Sequence, residues 1–97
     1  MKIYLIDFDG VVCDDRRGDY KKAKPKFDNI ARINELYEEG NFIRIFTGRG
    51  SGTGIDWSLL TYQQAKAWNL KYHEIVFGKP TCDVIIDDKA INVKDVW

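Results

Sequence analysis

Asp7 and Asp9 stand one residue apart at the end of the apolar run Ile3-Tyr4-Leu5-Ile6, and Gly10, Val11 and Val12 follow. Two carboxylates at this spacing offer two jobs. One can attack phosphorus and form an aspartyl-phosphate. The other can protonate a leaving oxygen and then deprotonate an incoming water. Successive strand residues point to opposite sides. Both carboxylates reach one group only if the chain leaves strand geometry after Asp7, which Gly10 permits. Taken alone, the pair reads equally as a strand end with a turn.

Further polar groups close other apolar runs. Thr47 follows Phe42-Ile43-Arg44-Ile45-Phe46 and opens a loop holding Gly48, Gly50, Gly52 and Gly54. The backbone N–H groups of such a loop can approach an anion closely. The spacing is that of neither a Walker loop nor a dinucleotide fingerprint, so the glycines alone are a weak signal. Lys79 lies in the turn Gly78-Lys79-Pro80, and Asp87-Asp88 close Asp83-Val84-Ile85-Ile86. Carboxylates gathered about 4 Å apart repel by roughly 4 kcal/mol per pair at an effective dielectric near 20, so the cluster needs a cation. Oxygen donors without histidine or thiolate favour Mg²⁺. That ion, an ammonium, a hydroxyl and free N–H groups together suit a phosphoryl group.

The elements that must position these residues follow from the pattern. Residues 2–7, 41–46, 74–77 and 83–86 read as four strands, the first apolar on both faces and suited to the middle of a sheet. Phe27, Ile30, Ile33, Leu36 and Tyr37 recur at helical steps between Pro25 and Gly40. Residues 56–69 read as a second helix, with Thr61-Tyr62-Gln63-Gln64 as a capping box and Ala65, Trp68 and Leu70 as its buried stripe. Strands alternating with helices predict a parallel sheet, whose ligands sit beyond the carboxyl ends of the strands. Residues 11–22 read as a hairpin-like flap over that edge, with Asp14, Asp15, Arg16 and Arg17 most simply a solvated tip and substrate contact by Arg16 or Arg17 the lesser alternative. The tail, with Ile91, Val93, Val96 and Trp97, reads as docking on the body.

Bulk properties narrow the class. The chain has 97 residues, which predicts one domain over 1–97. Lysines and arginines number 15, as do aspartates and glutamates, so nothing pulls it generally toward nucleic acid. The opening apolar stretch is too short for a signal-peptide core or a membrane span, which predicts a cytoplasmic protein without a membrane partner. Cys13 and Cys82 have no metal-type spacing and read as reduced structural residues. His73, the one histidine, reads as an ordinary imidazole, and Trp57 and Trp68 as packing residues.

In order along nearly the whole chain, Asp7-Phe8-Asp9-Gly10-Val11-Val12, Thr47, Lys79 and Ile85-Ile86-Asp87-Asp88 resemble the four motifs of the haloacid-dehalogenase-like phosphohydrolases. The resemblance implies a three-layer Rossmann-like α/β fold with a small parallel sheet of about four strands flanked by helices. It implies Asp7 as nucleophile and Mg²⁺ ligand, and Asp9 as general acid/base with its carbonyl on the metal. Thr47, Gly48 and Lys79 would hold the phosphoryl oxygens. Asp87 would be the main acidic metal ligand, with Asp88 supporting it directly or through water. More narrowly, Thr47-Gly48-Arg49-Gly50, Phe77-Gly78-Lys79-Pro80 and Ile86-Asp87-Asp88-Lys89-Ala90 are similar to small phosphatases of capsule or surface-polysaccharide synthesis. Many relatives insert a cap domain after the first motif or between the second and third. Here only 15 positions lead from Gly10 to Pro25 and 32 from Thr47 to Lys79, which leaves no room for one.

The expected activity is therefore a Mg²⁺-dependent phosphatase acting on a small phosphorylated metabolite, a sugar or polyol phosphate among them. Its open site would accept a large substrate or be covered by a neighbouring subunit of a homo-oligomer. The competing expectation is a phosphate- or partner-binding module that keeps the site without turnover. A response-regulator receiver uses similar groups, but there the acidic pair leads the first strand and the phosphorylated aspartate ends a later one, unlike the order here.

Overall fold

The computed structural model describes residues 1–97. Its elements run β1 (Ile3–Asp7), α1 (Phe27–Glu38), β2 (Phe42–Thr47), α2 (Ser58–Ala67), β3 (Glu74–Phe77) and a terminal turn of helix, α3 (Val93–Val96). The sheet is wholly parallel in the order β1-β2-β3. Asp7 pairs with Phe46 and Thr47 with Phe77, so three strands finish at one edge.

β2 is the central strand. Ile43, Ile45 and Thr47 on one of its faces are buried, and Phe42, Arg44 and Phe46 on the other are half-buried. The buried face meets Ile6, Ile75, Ile30 and Ile33 of α1, and Ala65 of α2 in a single core. α1 ends as its sequence dictates. Gly40 takes φ +91°, and the N–H groups of Gly40 and Asn41 donate to the carbonyls of Tyr37 and Leu36, closing a Schellman motif.

Five expectations are corrected. β1 lies at the edge of the sheet rather than in its middle, and Ile3 and Leu5 are 62% and 59% exposed. The sheet has three strands, because Asp83–Ile86 is irregular and makes no ladder bond. Its side chains stand in solvent, Ile86 at 95% exposure, and Asp87 closes a local turn by accepting from the N–H of Lys89. Thr61 begins no capping box: it lies inside α2, where its hydroxyl donates to the carbonyl of Trp57 at 2.9 Å. The 11–22 segment is a tied-down turn rather than a hairpin. Single bridges join Cys13 to Asp9 and Pro25, and a 3₁₀ turn spans Tyr20–Lys22. The tail residues Ile91, Val96 and Trp97 remain exposed.

Candidate active site at the carboxyl edge of the sheet

The backbone after Asp7 turns at once. The N–H of Phe8 still donates to the carbonyl of Phe46, but those of Val12 and Cys13 return to the carbonyl of Phe8. Gly10 sits in this turn at φ +96°, where a side chain is strained. Phe8 is fully buried, and its ring stacks on Trp68 with centroids 6.0 Å apart. The aromatic residue between the aspartates thus anchors the turn and leaves Asp7 and Asp9 half-buried beside it.

Each aspartate has a cation. Lys79 Nζ donates to Asp7 Oδ2 at 2.7 Å and lies 4.9 Å from the centre of the Phe46 ring. Burial holds the Asp7 carboxyl above its ordinary pKa, and the Lys79 hydrogen bond only partly offsets it. Asp9 faces Arg49, whose Nε lies 3.1 Å from both carboxylate oxygens and whose Nη2 donates to Oδ1 at 2.9 Å. Thr47 is fully buried; its hydroxyl donates to Asp9 Oδ2 at 3.2 Å and accepts from the N–H of Arg49 at 3.1 Å.

The glycine loop is tied to Lys79 through its main chain. The N–H of Lys79 donates to the carbonyl of Thr47, prolonging the β2–β3 ladder, and Ser51 Oγ donates to the carbonyl of Lys79 at 2.8 Å. A Cβ on Gly48 would lie 3.0 Å from that same carbonyl oxygen. Gly50 has φ +85°, and a Cβ there would sit 2.1 Å from the carbonyl oxygen of Ile55. A cavity of about 200 Å³ opens between Ser51, Asp56, Trp57 and Phe77.

The structure thus brings together Asp7, Asp9, Thr47, Gly48 and Lys79. Asp87 and Asp88 remain apart, in an exposed loop, and no group of three or more His, Cys, Asp or Glu side chains converges anywhere. As arranged, Asp7 and Asp9 are each paired with a cation, and the further carboxylates that would complete a Mg²⁺ site, Asp87 and Asp88, stand apart from them. Arg16 pairs with Asp14 at 3.0 Å, and Arg17 is exposed. His73 is structural: its Nδ1 accepts from the N–H of Ile43 at 3.0 Å, and its ring stacks on Tyr37 and Phe42. Sequence reasoning missed Arg49, which is 3% exposed. Arginine in a glycine-rich loop signals solvent, and the signals that could have singled it out were its place in Thr47-Gly48-Arg49-Gly50 and the unpaired charge of Asp9.

A crystal structure of a structural-genomics target from Vibrio cholerae superposes with a TM-score of 0.86 and 27% identity, covering 98% of this chain and 86% of that one. That likeness supports the small parallel α/β fold and names no activity. No family model matches the sequence, and no curated protein does. No helix is long and apolar enough to cross a membrane.

Proposed function

We propose that this chain is a haloacid-dehalogenase-like phosphatase that hydrolyses a phosphomonoester of a small metabolite through an aspartyl-phosphate on Asp7. The observation that carries this reading is the pairing of Asp7 with Lys79 at 2.7 Å, one turn of chain from a second carboxylate held by a separate cation. Asp7 would attack phosphorus while the leaving oxygen takes the bond pair and a proton from Asp9. Water would then attack the aspartyl-phosphate, giving its proton to Asp9 and restoring Asp7. Lys79 would meet the phosphoryl charge, together with Thr47 and the N–H groups around Gly48. The motif likeness favours a sugar or polyol phosphate of surface-glycan synthesis, handled in the cytoplasm by a protein whose open site a second subunit could cover.

The reading includes Mg²⁺, with Asp87 or Asp88 as a further ligand. Those residues would have to approach Asp7, and the route open to them is docking of Val84–Ile86 along the free edge of β1. The binding-module alternative keeps one specific support: both carboxylates are already neutralised by Lys79 and Arg49. Turnover of a phosphomonoester with Mg²⁺ separates the two. Asp7→Asn is expected to keep the fold by circular dichroism and to lose about 10³-fold or more in kcat, the scale of a missing nucleophile. Wild-type turnover by that variant would remove Asp7 from the mechanism.

A further inference from the structure

Arg49 is more fully bound than an ion pair requires. All five of its N–H groups have acceptors. Nε and Nη2 reach Asp9, and Nη2 also approaches Cys13 Sγ at 3.7 Å. Nη1 donates to Thr61 Oγ1 at 3.1 Å and to Gln64 Oε1 at 2.7 Å. The rings of Phe8 and Tyr20 each lie 4.6 Å from the guanidinium carbon. The acceptors are fixed in turn. The Thr61 hydroxyl donates to the carbonyl of Trp57, and Gln64 Nε2 donates to the carbonyl of Tyr20 at 2.7 Å.

Burying a guanidinium is costly, and apolar packing often stabilises a fold as well as an ion pair does. What the charged arrangement adds is direction. The planar fork fixes the orientation of a carboxylate as a lysine cannot. Here it fixes one carboxylate, and the parts that hold it come from α2, the 11–22 turn and the loop after β2. Asp9 keeps 15% of its side chain exposed, while Arg49 keeps none.

We propose that Arg49 is a positioning residue: buried, and held by Thr61 and Gln64, it locks Asp9 in the orientation from which it passes a proton to the leaving oxygen. This rests on the phosphatase reading and adds to it a residue that never touches substrate. When Asp7 displaces the leaving group, the P–O bond breaks, its electron pair stays on the leaving oxygen, and the Asp9 proton neutralises that oxygen. An acidic phenol leaves readily without the proton. An alkoxide does not.

The test is the first-turnover release of the leaving group, with 4-nitrophenyl phosphate and with a simple alkyl phosphate, in Mg²⁺. Arg49→Lys is expected to slow the alkyl substrate by about ten-fold or more and the nitrophenyl substrate by less than about three-fold, as loss of general acid catalysis does. Its KM should stay within about two-fold of wild type for both. Asp9→Asn should show the same selectivity, and the double variant should be no slower than Asp9→Asn alone, as for residues acting as a unit. Should Arg49→Lys fail to fold, Thr61→Val decides, since it removes one acceptor of the guanidinium without touching Asp9, and the same selectivity is expected in smaller measure. Equal slowing of both substrates, or none, in a folded variant overturns the positioning role. Absence of wild-type turnover on both substrates overturns the phosphatase reading itself.

Discussion

The residues of this site are set apart by how water reaches them. Cys13 and Cys82 show it most simply. Cys13 is fully buried against Asp9 and Arg49, and burial, with the negative charge of Asp9, pushes its thiol up to about 12. A raised thiol stays protonated at every pH below that value, and the thiolate is the reactive form. Cys82 is exposed. At pH 8, a disulfide reagent is expected to titrate one thiol of the native protein quickly and the second only after denaturation. Rapid reaction of both in the native state would show that the Asp9–Arg49 region opens. Asp7 differs again, being half-buried and raised despite its lysine. A carboxylate held in this way carries a cost to the fold whenever it is ionised.

At the level of elements, the loop after β2 is the part whose sequence is least free. Gly50 has both a positive φ and the carbonyl of Ile55 where a Cβ would stand, whereas Gly52 has neither. Gly50→Ala is therefore expected to lower stability by about 2 kcal/mol or more, and Gly52→Ala to change it by less than about 0.5 kcal/mol, read from urea unfolding midpoints. The sequence had marked this segment as a loop from its glycine density. It could not say which glycine was indispensable, because that depends on a contact between residues five apart. α1 and its glycine stop were legible because every signal there is local. The capping box failed because α2 begins three residues earlier, at Ser58, so Thr61 lies inside the helix and its hydroxyl bonds back to the carbonyl of Trp57.

For the molecule as a whole, the parallel α/β architecture and the gathering of Asp7, Asp9, Thr47 and Lys79 were legible, since strand periodicity and motif order both survive without tertiary information. The place of β1 in the sheet was not. Apolarity on both faces is the signature of a central strand, and β1 carries it at an edge where Ile3 and Leu5 meet solvent. The apolar run Val84–Ile86 is exposed in the same molecule. A bare edge strand and an unpaired apolar run invite each other. Hydrogen exchange gives the check. Without Mg²⁺, amides of β2 should be the most protected and those of 84–86 should exchange freely. If Asp87 or Asp88 joins the metal, Mg²⁺ should protect 84–86 and the outward amides of β1 together. Protection of neither would leave the acidic tail outside the site.

The main chain of Lys79 has a mechanical consequence. Its N–H holds the end of β2, its carbonyl holds Ser51, and its ammonium holds Asp7. Loop and carboxylate thus lean on one residue. On the phosphatase reading, a leaving group bulky enough to push Ser51 aside would loosen the same residue that holds Asp7. Size selection by this loop would then be read in turnover, through a displaced charge, more than in affinity.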